Sequence, residues 1–104
     1  MPAYLIATYN IADPETYAKY NPGSLGVIMK TIGKHGGQVL IAGHDCVRLA
    51  GDEKDVKIMI KFPSSDAAIA WDDDPEYAEV KGLRLSSTKD IDCYIIDEFV
   101  PPQS

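Results

Sequence analysis

The chain has 104 residues, of which 45% are hydrophobic and 25% charged, and these proportions predict one globular domain spanning residues 1–104. Its net charge of −6 at pH 7 argues against nucleic acid and anionic membrane surfaces as partners, because both repel an acidic protein. The sequence shows no signal-peptide pattern and no long apolar segment, so we expect a cytoplasmic protein without a membrane association.

Residues 3–11 are rich in β-branched and aromatic side chains, which predicts a first strand. Side chains alternate between the two faces of a strand. Both sets are largely apolar here: Tyr4, Ile6 and Thr8 on one face, and Leu5, Ala7 and Tyr9 on the other. We therefore expect cover on both sides of this strand.

A helical region follows the first strand. Asp13-Pro14-Glu15 indicates a helix start, because Asp caps free N–H groups and a proline loses no hydrogen bond in the first turn. Asn21-Pro22-Gly23 predicts a break, and a second segment runs from about Ser24 to Lys34. Gly36-Gly37 then ends the helix.

The middle of the chain predicts two strands. Residues 38–42 form the second strand, which Gly43-His44-Asp45 interrupts and residues 46–49 resume after a bulge or bend. A polar turn leads to a third strand over residues 56–62, which returns antiparallel.

Two consecutive helices are predicted next. Ser64 or Ser65 caps the first, and Asp74-Pro75 starts the second. A polar loop over residues 86–90 separates these helices from a last strand at roughly residues 92–100.

The order β-α-β-β-α-β predicts an α+β fold with a four-stranded antiparallel sheet and helices on one face. The first and third strands are central in this arrangement. We assign the uncovered sheet face an apolar set: Leu5, Ala7, Tyr9, Ile95 and Val39 or Leu40. Because a bare apolar face indicates a partner, we predict a homodimer that packs sheet on sheet with two-fold symmetry.

The sequence offers few residues for metal or thiol chemistry. Cys46 and Cys93 lack CxxC spacing and are predicted on opposite sheet edges, so we expect free thiols. Asp72-Asp73-Asp74 predicts a solvated acidic turn and no metal site, because consecutive carboxylates point apart. His35, at a helix end, suits the helix dipole. No cofactor is predicted.

His44 is the candidate catalytic residue, since a histidine is the usual general base near neutral pH. Five further side chains are predicted to line an apolar pocket between the helices and the sheet: Tyr17, Tyr20, Trp71, Tyr77 and Arg84. Arg84 or His44 would bind an anionic or carbonyl group of a small aromatic or lactone-like metabolite. The alternatives are a solvated loop histidine, aromatic residues that only fill the core, and an arginine that pairs with an acidic neighbour.

An ordered set of motifs extends over nearly the whole chain: Ala3-Tyr4, Asp13-Pro14-Glu15-x-Tyr17, Gly36-Gly37, Phe62-Pro63-Ser64, Ala68-x-x-Trp71, Pro75-Glu76-Tyr77 and Arg84. This set resembles domain-of-unknown-function family 1330, a group of small bacterial proteins in the dimeric α+β barrel superfamily. The resemblance implies a ferredoxin-like subunit that dimerises through its sheet to form an α/β barrel. The superfamily includes cofactor-free monooxygenases, lactone isomerases and haem-dependent enzymes, so the resemblance does not select a reaction.

Two functions therefore stay open, besides haem binding by analogy with distant relatives of the superfamily, which would need an axial histidine on the pocket wall. The first is a cofactor-independent enzyme or a protein that binds a small molecule, and it predicts a cavity beside Trp71 and Tyr77. The second is a non-catalytic dimeric interaction or regulatory module, and it predicts a filled interior at these aromatic residues.

Overall fold

Four strands form one antiparallel sheet in the computed structural model, which describes residues 1–102. The elements follow one another as β1 (Ala3–Ile11), α1 (Pro14–Tyr20), α2 (Leu25–Lys34), β2 (Gln38–Gly43), β3 (Val56–Phe62), α3 (Ser65–Asp72), α4 (Pro75–Ser87) and β4 (Thr88–Asp97). The strand order in the sheet is β2-β3-β1-β4, so β1 and β3 are central, as predicted. The fold is α+β and ferredoxin-like, with each helical region broken in two.

The helix starts agree with the prediction because each depends on a local hydrogen bond. The Asp13 carboxylate accepts from the backbone N–H of Thr16 at 3.3 Å, and Ser64 Oγ accepts from the backbone N–H of Ala67 at 3.1 Å. Asp74 Oδ1 accepts from the backbone N–H of Glu76 at 2.8 Å. These caps satisfy donors that have no partner inside their helix.

The helices pack on the sheet face opposite to the one that we expected. Leu5, Ala7 and Tyr9 point toward the helices, and each is at least 97% buried. Our assignment of these side chains to the bare face was therefore wrong. Period-2 alternation separates the two faces of a strand, but it does not say which face the helices cover when both are apolar.

The helices leave the other side of the sheet uncovered. This side carries the strand residues that alternate with the helix-facing ones, and we call it the open face. Ile6 of β1 lies between Met59 of β3 and Tyr94 of β4, and Tyr4 lies opposite Ile96. Tyr94 and Ile96 are 54% and 56% exposed. The open face is therefore apolar at its centre, as the two-sided pattern of β1 predicted, but it carries different residues.

Two local predictions were wrong. Residues 46–49 belong to no strand, because the pairing of β2 with β3 ends at Gly43 opposite Lys57, next to the first residue of β3. The predicted loop at 86–90 is also absent, since α4 continues to Ser87 and β4 begins at Thr88. Ser87 Oγ donates to the carbonyl of Leu83 at 2.6 Å and Thr88 Oγ1 donates to that of Arg84 at 2.7 Å. These hydroxyl groups satisfy the last carbonyls of the helix without a loop.

Candidate functional site

A cavity of about 90 Å³ lies between the helices and the sheet. Its sheet wall is apolar, with side chains from all four strands: Leu5, Ala7, Val39, Ala42, Ile58, Ile60 and Cys93, together with Tyr9. Leu25 and Met29 of α2 also line the cavity, and they are 43% and 47% exposed. The cavity therefore meets solvent at a rim between α2 and the edge of the sheet.

The structure brings five of the six predicted site residues to this cavity. They are Tyr17 and Tyr20 of α1, Trp71 of α3, and Tyr77 and Arg84 of α4. All five are buried. They converge because α1 packs against α4, and Tyr17 and Arg84 both contact the ring of Tyr9 in β1.

His44 lies outside the cavity. It follows β2 as an exposed residue, and its Nδ1 is 3.0 Å from the carbonyl oxygen of Asp55. The carbonyl oxygen of His44 accepts a bond from Lys57 Nζ. The structure thus places this histidine in the connection between β2 and β3, away from the other candidate residues. This position matches the alternative interpretation of His44 as a solvated loop histidine.

The aromatic rings of the cavity wall form a continuous series. Trp71 stacks on Tyr77 with ring centroids 4.2 Å apart, and Tyr77 contacts Tyr20 at 6.5 Å. Tyr20 contacts Tyr17, and Tyr17 contacts Tyr9, each at 5.9 Å. These separations are those of favourable aromatic contacts, so the wall is both rigid and rich in polarisable surface.

The tyrosine hydroxyl groups are paired. The oxygens of Tyr9 and Tyr17 are 2.8 Å apart, and those of Tyr20 and Tyr77 are 2.7 Å apart. Burial raises the pKa of Tyr9, Tyr20 and Tyr77 above the usual tyrosine value. These three groups are therefore protonated at neutral pH and act as hydrogen-bond donors, not as bases.

Arg84 is the cation of the cavity. It is only 7% exposed, and its guanidinium carbon lies 6.0 Å from the centroid of the Tyr9 ring. Arginine keeps its charge in proteins, so a charged group is buried here. Its Nε is fully buried and has no hydrogen-bond partner among residues 1–102, and no carboxylate in this part of the chain forms an ion pair with it.

Two other titratable side chains, those of Asp72 and Cys93, line the cavity, but neither is an unpaired base. The Asp72 carboxylate is 3.0 Å from Lys81 Nζ, which offsets its charge. Partial burial raises the pKa of the Cys93 thiol, so the thiol is protonated at neutral pH and is a poor nucleophile. Within residues 1–102 no cluster of three or more His, Cys, Asp or Glu side chains is placed to hold a metal ion.

Sequence reasoning missed Tyr9, Asp72 and Cys93 as lining residues. Tyr9 and Cys93 were missed because the strand faces were assigned the wrong way round. Asp72 was treated as one of three solvated carboxylates in an acidic run. The alternation of β1 contained the signal for Tyr9, since it placed this ring on the same face as Leu5 and Ala7.

Ion pairs hold α2 over the cavity. Asp74, predicted as solvated, is 3% exposed, and its Oδ2 is 2.9 Å from Lys34 Nζ and 2.6 Å from His35 Nε2. Lys30 Nζ adds a contact of 2.9 Å to Glu76. The Lys34 ammonium and then the His35 ring hold the pKa of the Asp74 carboxyl well below its usual range. This cluster joins the end of α2 to the start of α4.

We expect Asp74→Asn to lower the melting temperature at neutral pH by several degrees. Because its pKa is lower in the folded state, ionised Asp74 stabilises the fold fully above the usual carboxyl pKa of about 4. That contribution is lost progressively as the pH falls from about 4 toward the lower pKa of the folded state, so the difference between the two proteins should narrow steadily over this range. Asparagine is an equally good cap, so the difference measures the charge.

The measurement is thermal unfolding by circular dichroism across the acid range. Asp73→Asn is the matched control, because Asp73 is an exposed carboxylate in the same turn. A difference between Asp74→Asn and the unmodified protein that stays the same at every pH would contradict the assignment.

The fold and the cavity define a class: a ferredoxin-like α+β subunit with an aromatic cavity between its helices and its sheet. The family model of DUF1330, a domain of unknown function, matches residues 2–99. The chain belongs to this family, as the ordered motifs predicted. No curated protein is significantly similar to the sequence.

Solved structures share this fold at low sequence identity. A protein of unknown function from Rhodopseudomonas palustris is 19% identical with a TM-score of 0.76, over 96% of this chain and 84% of that one. A dimeric ferredoxin-like protein of unknown function from Jannaschia sp. CCS1 is 10% identical with a TM-score of 0.76, over 94% and 100%. A protein from Caulobacter crescentus CB15, provisionally assigned as an antibiotic biosynthesis monooxygenase, is 15% identical with a TM-score of 0.65, over 95% and 91%.

Among the residues that the structure describes, no helix has the length and apolar character needed to cross a membrane.

Proposed function

We propose that the protein binds a small, largely apolar molecule in the cavity between its helices and its sheet. The observation that carries this proposal is the cavity itself, lined by the five aromatic and basic side chains that the sequence predicted for a pocket. A filled interior would have supported the non-catalytic interaction module instead. Apolar cavities with a few convergent polar groups are the usual form of small-molecule sites.

The lining groups favour an aromatic molecule. The stacked Trp71 and Tyr77 and the neighbouring Tyr17 and Tyr20 present ring edges and faces to the cavity. Such surfaces bind a planar ring by offset or edge-to-face contact. An enclosed cavity of about 150 Å³ holds one benzene ring. A cavity of about 90 Å³ that opens at a rim therefore matches one partly inserted ring.

The chemistry that the cavity supports is binding and orientation. The likeness to a provisionally assigned monooxygenase of the same fold supports an enzymatic use of this cavity. The lining residues of this chain, however, supply mainly hydrogen-bond donors: protonated hydroxyl groups, a protonated thiol and a guanidinium. The one carboxylate of the lining, Asp72, is paired with Lys81 and is not a free base. We propose a binding site and assign no reaction to it.

We also propose that two subunits pack through the open face and close the sheets into a barrel. The apolar centre of this face supports the proposal, since exposed apolar patches mark interfaces. The structural relative from Jannaschia sp. CCS1 is described as dimeric, which supports the same arrangement here. In this arrangement the cavity lies on the other side of the sheet and stays open to solvent.

The binding proposal is tested with the fluorescence of Trp71, which is the only tryptophan and lines the cavity. Single-ring aromatic compounds should change its emission saturably. Ala42→Phe, at an exposed lining position, should obstruct the cavity and abolish the change. Ala70→Phe is the matched control, because Ala70 is exposed on α3 and does not line the cavity. No saturable response with any ring compound, or equal binding to both variants, would refute the proposal.

A further inference from the structure

The cavity contains more hydrogen-bond donors than acceptors. Arg84 brings a guanidinium that carries five N–H groups, and no carboxylate within residues 1–102 forms an ion pair with it. Its Nε is wholly buried, and leaving a buried donor of a charged group without a partner costs free energy. Such a group marks a place where an acceptor from outside the chain would be bound strongly.

The tyrosine pairs increase this excess. In each pair one hydroxyl group donates to the other, and the accepting hydroxyl keeps a hydrogen of its own. Tyr9 with Tyr17, and Tyr20 with Tyr77, make no other hydroxyl hydrogen bond within residues 1–102. Each pair therefore has one O–H left to donate. The one carboxylate of the lining, Asp72, is already 3.0 Å from Lys81 Nζ.

We propose that the natural occupant is a small aromatic monocarboxylate, with its carboxylate on the guanidinium of Arg84 and its ring against the aromatic wall. This inference deepens the proposed function and rests on it. A guanidinium presents parallel N–H groups that match the two oxygens of a carboxylate. The spare tyrosine hydroxyl groups supply further donors to the same anion. The cavity size matches an acid that inserts a single ring.

The experiment is calorimetric titration of the full-length protein with benzoate and with benzamide, which has the same shape and no charge. We expect benzoate to bind about tenfold more tightly or better, because charge-assisted hydrogen bonds are roughly twice as strong as neutral ones. Arg84→Met should remove this preference, so that benzoate and benzamide bind with similar affinity. Arg84→Lys keeps the positive charge but lacks the parallel N–H groups of the guanidinium, so this variant should retain part of the preference for benzoate.

Arg48→Met is the matched control, since Arg48 is the only other arginine and is exposed in the connection between β2 and β3. It should preserve the preference in full. Retention of the preference in Arg84→Met would overturn the inference.

The two proposals fail in different ways. Equal affinity for benzoate and benzamide would overturn the carboxylate inference, with water as the partner of Arg84, and would leave the binding proposal standing. Tighter binding of phenol than of benzoate would overturn it in favour of a phenol. Absence of binding by every ring compound would refute the binding proposal and the inference with it.

Discussion

Replacing Arg84 by methionine is expected to raise the melting temperature of the ligand-free protein. Arg84 is 7% exposed and has no carboxylate partner within residues 1–102, so the fold bears most of the cost of removing its charge from water. A methionine of similar length fills the same space without that cost. Replacing buried ion pairs by well-packed apolar residues is often neutral or stabilising, with gains of about 1–4 kcal/mol. Each kcal/mol corresponds to roughly 4–8 °C in a domain of this size.

Differential scanning calorimetry without ligand measures this effect. Arg48→Met, in an exposed connection, should leave the melting temperature nearly unchanged. Saturating benzoate should narrow the difference between Arg84→Met and the unmodified protein, because a ligand that binds only the folded state stabilises it by mass action. A large fall in the melting temperature of Arg84→Met would show that Arg84 serves the fold and not a ligand. Stabilisation with loss of binding would be the signature of a functional residue.

Introducing a charge on the open face is expected to produce a monomer that keeps its fold. Ile96 of β4 is 56% exposed in the subunit and lies opposite Tyr4. Ile96→Glu should therefore cost the isolated subunit little. In the proposed dimer the same carboxylate would be buried between two sheets, and two-fold symmetry places it there twice. Because an unpaired buried charge costs several kcal/mol, we expect dimerisation to weaken roughly thousandfold or more.

Analytical ultracentrifugation over a range of concentrations measures the dimer, and circular dichroism verifies the fold. Ile69→Glu is the matched control, since Ile69 is 49% exposed on α3, on the helix side of the sheet. It should remain as dimeric as the unmodified protein. A concentration-independent monomer of the unmodified protein would refute the dimer proposal, and so would an Ile96→Glu variant that stays dimeric.

The correctly predicted elements are those whose cause is local. Asp13-Pro14 and Asp74-Pro75 start helices because the carboxylate reaches N–H groups two or three residues ahead. Asn21-Pro22-Gly23 separates α1 from α2 because proline and glycine disfavour a continuous helix. The spacing of the apolar residues then placed Tyr17, Tyr20, Trp71 and Tyr77 on inward helix faces, and from there in one pocket.

The incorrect predictions involve partners that are distant in the sequence. Residues 46–49 have strand-like side chains, but a strand forms only where a neighbour accepts its hydrogen bonds. The loop expected at 86–90 is absent because two hydroxyl groups turn back onto helix carbonyls. His44 lies away from the cavity because of the path that the chain takes after β2. The presence of a histidine at this position does not reveal that path.

The amino-acid sequence by itself therefore predicted the order of the helices and strands. Helix starts, helix breaks, strand alternation and the family motifs each depend on a few neighbouring residues. Three features that matter for function needed the folded molecule. They are the sheet face that the helices cover, the burial of Asp74 beneath α2, and the lack of an acidic partner for Arg84 within residues 1–102. Each of these features depends on which side chains contact one another across the core. A strand sequence that is apolar on both faces does not determine which face the helices cover, so tertiary packing decides it.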